Sequence, residues 1–231
     1  MRTLSGTIVA TRIQDRDIRF FVHNPQDYIQ SHHLQGIFYE REELAIISRH
    51  FHEDGVFIDI GTNIGNHTIF IEKFCNPRRI ITFEVNPIAI EILQVNILLN
   101  ALAKCDTSCL GFALAAEASM AKLVQPDPNN LGLTMVEPDP AGHVRGIAGD
   151  EVLAHRRVDF LKIDIEGGEM AVLAGLAQTI ALWRPAIFIE VDDHNAPAFA
   201  AWCASARYRR VDAFQRYEGK TNYMILPDER A

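Results

Sequence analysis

Cysteine is scarce and unpatterned. Cys75, Cys105, Cys109 and Cys203 form no Cys-x-x-Cys pair and have no histidine at zinc-ligand spacing. A structural zinc site and a disulfide framework are therefore not expected, and a reducing compartment fits. A run of apolar residues long enough to span a bilayer is missing too, because the most apolar window, residues 174–191, is broken by Arg184-Pro185. The first residues, with Arg2, Thr3, Ser5, Arg12, Asp15 and Arg16, lack the apolar stretch of a signal peptide. The expectation is a cytoplasmic protein without a membrane span. Positive charge is also short: the net charge is −8, and basic residues come at most in pairs, such as Arg78-Arg79 and Arg156-Arg157. Such a surface repels phosphate backbones, so nucleic acid is not an expected partner.

What is present fits a single α/β domain over residues 1–231, with 48% hydrophobic and 23% charged residues. Residues 3–23 alternate apolar and polar around Gln14-Asp15-Arg16-Asp17 and predict a hairpin, and Leu44, Ile47 and Phe51 predict a helix that Glu53-Asp54-Gly55 stops. Residues 1–52 thus read as an extension to a Rossmann-like core over 53–231. In that core Val56–Ile60 predicts a strand, Gly61–Gly65 a turn and Ile64, Thr68, Ile71 and Cys75 a helix. Ile80–Phe83 predicts a second strand, and Asn86-Pro87 caps a helix whose stripe Ile88, Ile92, Val95 and Leu99 is expected to pack on the sheet. A third strand is expected within Thr107–Leu114, with Ala121–Val124 returning beside it, and the Pro- and Gly-rich residues 126–146 read as a long loop. Strands at Val158–Ile165 and Pro185–Val191, helices at Glu169–Ile180 and Asn195–Ala206, and strands at Tyr208–Ala213 and Asn222–Leu226 complete the pattern. The turn before the last strand is too short for a crossover helix, so that strand is expected to run antiparallel.

Ligands of an open α/β sheet bind at the carboxyl ends of its strands. The first such end is Asp59-Ile60-Gly61-Thr62-Asn63-Ile64-Gly65, whose glycines let the backbone approach a ligand. A dinucleotide fingerprint needs glycine at positions 63 and 66, where Asn63 and Asn66 stand, so a phosphate-free nucleoside fits better than a pyrophosphate. Glu84 ends the second strand and reads either as a ribose-binding acid or as an ordinary strand-end glutamate. Asp164, Glu166 and Glu169 crowd the end of the fourth strand. Like charges held close need a compensating partner, and a cationic sulfonium is one such partner. Glu169 reads mainly as helix capping. After the fifth strand come Glu190, Asp192, Asp193 and His194, where His194 is either a general base or an ordinary surface or capping histidine. These acids could also hold a divalent metal with Asp164, although such spacing is common by chance, and no metal is expected.

At these residues the chain resembles the FkbM family of S-adenosylmethionine-dependent methyltransferases. The resemblance runs from about Gly36 to Pro227 and is carried by Tyr39-Glu40, Phe57 through Gly65, Phe83-Glu84-Val85-Asn86-Pro87, Leu161 through Glu169, and Ala186 through Glu190. Thr62, Val85 and Gly149-Asp150-Glu151 depart from the residues the family usually has there. The resemblance implies a Rossmann-like class I methyltransferase fold, with a seven-stranded, mainly parallel sheet and an antiparallel last strand. It also implies O-methylation of a sugar, glycan or other hydroxylated metabolite, with S-adenosyl-L-methionine as cofactor. Carried onto this chain, it places Asp59, Gly61, Asn63 and Gly65 at the methionine part, Glu84 at the ribose, and Asn86 and Leu114 near the adenine, with Tyr39, Thr62 and Thr68 also expected among the cofactor-binding residues. Asp164, Glu166 and His194 are the expected catalytic residues, with Asp164 also at the cofactor. A Rossmann oxidoreductase using NAD and a non-catalytic adenosyl-binding module are the alternatives, and a homo-oligomer is left open.

Overall fold

The computed structural model describes residues 4–230, so the first residue of the expected hairpin lies outside it. Strands β1 (Thr7–Ile13) and β2 (Arg16–Val22) pair antiparallel through a two-residue turn. Gln14 and Asp15 of that turn both have positive φ, 46° and 63°, which matches the right-handed twist of the flanking strands. Helix α1 (Tyr28–Leu34) follows, begun by the Asp27 carboxylate on the Gln30 amide, and was not expected from periodicity. Helix α2 (Arg41–His50) lies where Leu44, Ile47 and Phe51 predict it.

The core alternates β3 (Val56–Ile60), α3 (Asn66–Phe74), β4 (Arg79–Phe83), α4 (Pro87–Asn100) and a short β5 (Cys105–Asp106). Further on come β10 (Phe160–Ile163), α6 (Glu169–Gly175), α7 (Ala177–Trp183), β11 (Ala186–Asp192), α8 (Ala196–Ala206), β12 (Tyr208–Phe214) and β13 (Lys220–Pro227). Seven strands make one sheet in the order β12-β13-β11-β10-β3-β4-β5. The pairs from β11 to β5 are parallel, and β13 runs antiparallel to both its neighbours, as expected for the last strand.

Alternation along each strand assigns residues to the two faces. Ile58, Ile60, Leu161, Ile163, Ile187 and Ile189 pack with Val172, Leu173 and Ile180 of α6 and α7. Phe57, Ile80, Phe160 and Phe188 pack on the other face with Ile46, Ile47 and Phe51 of the α2 segment and Ile71 of α3. Phe57 and Phe160 stack at 5.2 Å between centroids, and a fully buried phenylalanine contributes on the order of 1.5–3 kcal/mol. Both faces are covered, which is why these strands read as continuous apolar runs.

Three expectations need correction. The third strand does not run unbroken through Thr107–Leu114: β5 ends at Asp106, and a turn through Gly111 (φ 88°) diverts the chain. Residues Phe112–Ala115 (β6) join Ser119–Val124 (β7), Met135–Pro138 (β8) and Val144–Ala148 (β9) in a second sheet of order β6-β9-β7-β8, so Ala121–Val124 returns beside β9 and β8 and not beside β6. Residues 126–146 are not a long loop but contain a 3-10 turn (Leu131–Leu133), β8 (Met135–Pro138) and the start of β9 (Val144–Ala148), the prolines and glycines marking the corners between them. The helix expected over Glu169–Ile180 is two helices, broken where Gly175 lies against the Ala115 carbonyl; a Cβ at 175 would stand 2.0 Å from that oxygen. A short helix α5 (Asp150–Leu153) leads into β10. Among the described residues, no helix is long and apolar enough to cross a membrane.

Helix α4 also departs from expectation. Its stripe Ile88, Ile92, Val95 and Leu99 packs with Phe21, Ile29, Tyr39, Ile64 and Leu131, beneath the N-terminal segments and not on the sheet. Asn96 and Asn100 on this helix complete the edge of β2. The Asn96 side chain accepts from the Phe21 amide at 2.8 Å and donates to the Ile64 carbonyl at 2.8 Å, while Asn100 accepts from and donates to Arg19 backbone at 2.9 and 2.6 Å. Asn96→Leu keeps the volume but orphans a buried donor and a buried acceptor. A loss of roughly 2–5 kcal/mol in urea unfolding is expected, and an unchanged midpoint would contradict this role.

Candidate functional site

At the carboxyl ends of β3, β4, β10 and β11 lies a cavity of about 560 Å³. That size suits a cofactor or other drug-sized ligand. Its floor is set by register. Asp59 on β3 and Lys162 on β10 are direct partners in the parallel ladder and point to the same face as Phe57 and Phe160. The Lys162 ammonium lies 3.1 Å from Asp59 and 3.2 Å from Asp164 and donates to the Gly61 carbonyl at 3.0 Å. Burial opposes its charge, but the fields of Asp59, Asp164 and Glu40 outweigh that effect and hold its pKa above the ordinary lysine range.

The turn after β3 is shaped by close approach. Gly61 has φ 76°, and a Cβ there would stand 1.9 Å from the Asp164 carbonyl, so no other residue lets the ends of β3 and β10 meet in this way. The amides of Gly61 and Thr62 both donate to the Phe83 carbonyl at 3.0 Å, and Thr62 Oγ1 donates to the Asp59 carbonyl at 2.7 Å. Asn63 adopts a left-handed conformation, φ 52°, and its amide donates to Glu84 Oε2 at 2.8 Å. Glu84 Oε1 accepts from the Val85 and Asn86 amides, each at 2.8 Å. Burial raises the Glu84 pKa while these three amides oppose the shift, and the carboxylate is left with acceptor capacity at the cavity wall.

Of the residues singled out from the sequence, Tyr39, Gly61, Thr62, Asn63, Glu84, Leu114, Asp164 and Glu166 line the cavity. Asp59, Gly65, Thr68 and Asn86 do not line it. Asp59 is fully buried beneath the floor and accepts from Thr68 Oγ1 at 2.7 Å; Gly65 packs against Leu93; Asn86 caps α4 and donates to Thr134 at 2.9 Å. These four hold the wall in place from behind. His194 is the clearest correction: its side chain is 70% exposed on the turn after β11, beside Asp192 and outside the cavity, because the turn directs it to solvent. Glu169 lies in the first turn of α6, buried and accepting from the Gly167 amide and from Asn195.

Several lining residues were not singled out from the sequence. Glu40 and His67 lie 3.7 Å apart. Burial and the charges of Asp164 and Glu43 raise the Glu40 pKa well above the usual range, and burial followed by Lys162 lowers that of His67 well below it. Among the described residues, His67 Nε2 has no hydrogen-bond partner. On the far side, Lys220 contacts Glu166, Glu190 at 3.2 Å and Asp192 at 3.7 Å. Burial and the neighbouring Asp164 charge push the Glu190 pKa up to about 7 despite Lys220. At the mouth, Tyr39 and Tyr217 share a 2.7 Å hydroxyl contact, and Tyr28 meets both rings edge-on. Lys162 did leave a signal in the sequence, a lone charge inside the apolar run Phe160-Leu161-Lys162-Ile163 opposite another lone charge in Val56–Ile60. Tyr28 and Tyr217 left none, because only the fold brings them together.

Lys162→Met strips the cation from a buried carboxylate. A cost of about 3–5 kcal/mol in chemical unfolding is expected, with much of it recovered in the double variant Lys162→Met/Asp59→Leu. Equal or greater loss in the double variant would contradict the pairing.

Residues 59–218 match the family model described as the methyltransferase FkbM domain. The hexuronic acid methyltransferase AglP of Haloferax volcanii is 25% identical over 166 residues, covering 70% of this chain and 65% of that protein. Among solved structures, a methyltransferase FkbM from Methylobacillus flagellatus superposes with a TM-score of 0.55 at 16% identity, covering 75% of this chain and 44% of that one. The chain thus spans less than two thirds of the length of either relative. TrmK of M. capricolum, solved with S-adenosylhomocysteine, superposes with a TM-score of 0.53 at 12% identity, covering 83% of this chain and 70% of that one. At such identities the structural likeness speaks for the fold, while the family model spans well over half of the chain. The chain has the class I methyltransferase fold and belongs to the FkbM methyltransferase family.

Proposed function

We propose that the cavity binds S-adenosyl-L-methionine and that the protein methylates a hydroxyl of a sugar, glycan or other hydroxylated metabolite. The observation that carries this reading is the 2.8 Å contact between the Asn63 amide and the Glu84 carboxylate, which brings the glycine turn and the second strand's acid to one wall of one cavity. Glu84 would take the ribose hydroxyls, with Leu114 beside the adenine. Gly61, Thr62 and Asn63 would take the methionine part, with Asp164 and Glu166 offering negative charge near the sulfonium. The acceptor class is supported by family membership and by the hexuronic acid relative.

When bound, the cofactor supplies an electrophilic methyl carbon, and the acceptor oxygen must be aligned with it and lose its proton. Asp164, fixed by Lys162, is placed to orient the acceptor, and Glu190 to take the proton. With a pKa near neutrality, Glu190 is a better proton acceptor than an ordinary carboxylate. Asp59 and Thr68 act through Lys162 and the turn, without contact of their own. A dinucleotide fits less well, since a pyrophosphate would face Asp164 and Glu166 where it needs amide or cationic partners. A purely ligand-binding module differs from this reading only in failing to transfer the methyl group.

Calorimetric titration with S-adenosylmethionine should give saturable binding, with NAD giving none. Glu84→Ala should weaken cofactor binding by about 10- to 100-fold, the loss of hydrogen bonds to a charged acceptor. No saturable heat at millimolar cofactor would remove the reading. Glu190 must be ionised to accept a proton, so kcat/KM should rise with pH through about 7 and then level off. Glu190→Gln should abolish that limb; a profile identical to that of the unaltered protein would exclude Glu190 as the base.

A further inference from the structure

The cavity carries a marked imbalance of charge. Its lining holds six carboxyl groups, Glu40, Glu84, Asp164, Glu166, Glu190 and Glu218, against the two ammonium groups of Lys162 and Lys220. Neither ammonium is free for a ligand. Lys162 has 2% side-chain exposure and is held between Asp59 and Asp164, and Lys220 is held among Glu166, Glu190 and Asp192. No arginine lines the cavity among the described residues. Arg216, which lies over the Tyr39 ring at 5.8 Å, is itself held by Glu42 at 2.6 Å and by Glu43. Burial and the neighbouring Lys162 hold the His67 pKa well below the usual histidine range.

The mouth has the opposite character, apolar faces with polar edges. Tyr28 and Tyr217 are 45% and 38% exposed, and both line the cavity. Their rings are braced by the edge contact between them at 6.2 Å and by Tyr39, which touches Tyr28 at 5.5 Å. Half-exposed tyrosines fixed by their neighbours offer a flat surface at little entropic cost, the kind on which the C–H face of a sugar ring packs. Further in, the carboxylates of Glu166 and Glu190 are acceptors for hydroxyl or ammonium hydrogens. His67, 4% exposed and with no hydrogen-bond partner for Nε2 among the described residues, lines the same cavity.

Resting on the methyltransferase reading above, we propose that Tyr28, Tyr217 and the Glu166–Lys220–Glu190 group form the acceptor subsite for a sugar ring without negative charge, neutral or amino-bearing. A uronate is turned away, in contrast to the acceptor class in the name of the Haloferax relative. The reason is electrostatic. A ligand carboxylate entering here meets Glu166, Glu190 and Asp164 with no side-chain cation left to pair with, and the sulfonium of a bound cofactor is already offset by Asp164 and Glu166. An amino group meets the same carboxylates with favourable sign.

The test is calorimetric titration of the S-adenosylhomocysteine-saturated protein with methyl glucoside, methyl glucosaminide and methyl glucuronide at constant ionic strength. The glucoside and glucosaminide are expected to bind, with the glucuronide at least about tenfold weaker. Glu166→Gln frees Lys220 from one partner and should narrow that gap by about tenfold. Tyr217→Ala, with its thermal midpoint retained, should lose the response to the sugars, and Tyr28→Ala serves as the second variant if the first does not fold. Glucuronide binding equal to or tighter than glucoside binding, no response to any of the three, or an unaltered response in the tyrosine variants overturns the inference alone. Failure of S-adenosylhomocysteine itself to bind overturns the methyltransferase reading, and this inference with it.

Discussion

A buried ammonium lies at the junction on which the rest of this architecture depends. Lys162 ties β10 to β3 through Asp59 and through the Gly61 carbonyl, and it reaches the cavity wall through Asp164. Burying a charge is expensive, and two carboxylates together with a carbonyl are what make it tolerable here. The same contacts set the distance between two strand ends whose loops form the walls of the cavity. Gly61 belongs to this constraint, because only a residue without Cβ allows its turn to lie against the Asp164 carbonyl.

The site is the polar continuation of an apolar ladder. Along β3 and β10 the residues facing α2 and α3 are first Phe57 and Phe160 and then, one pleat further toward the carboxyl ends, Asp59 and Lys162; on β11 Ala186 and Phe188 stand level with these two rows, and Glu190 follows one pleat beyond. Packing by aromatic rings fixes the strands, and the fixed strands place the charges. Behind the opposite wall, α4 uses Asn96 and Asn100 to bind β2 and Ile64, which couples the N-terminal hairpin to the turn that shapes the cavity. Helix α1 adds a further link, since Asp27 accepts from the Leu131 amide and so joins this helix to the 3-10 turn at the mouth. Tyr28 and Tyr39 reach the cavity only because the hairpin and α1 are held in this way.

Much of this was legible from residue pattern. The strands Val56–Ile60 and Ala186–Asp192 announce themselves as apolar runs, and the antiparallel last strand follows from a turn too short to contain a helix. Gly61, Asn63, Glu84 and Asp164 were placed at strand ends by pattern and meet in the fold. What pattern could not show is which side chain faces the ligand and which stands behind it. Asp59 and Thr68 lie in the same motif as Asn63 yet bond to each other beneath the floor, since strand alternation turns Asp59 toward Lys162. His194 follows a strand end just as Glu84 does, but its turn directs it outward. Residues 126–146 read as loop because their strands are short and lie between prolines, and because β8 and β9 pair not with each other but with β7, which lies between them. Tyr28, Glu40, His67 and the Tyr217–Lys220 stretch come from separate parts of the chain, so no window of sequence contains the arrangement.

The central claim is that the ends of β3, β4 and β10 converge on one pocket for an adenosyl ligand. A crystal structure of the protein with S-adenosylhomocysteine examines it directly. Ribose hydroxyls are expected on the Glu84 carboxylate, the amino-acid part along Gly61 to Asn63, and the sulfur on the Asp164 side, facing Glu190. Ligand density away from Glu84, or a Glu84 carboxylate turned from the Asn63 amide in the complex, would contradict it.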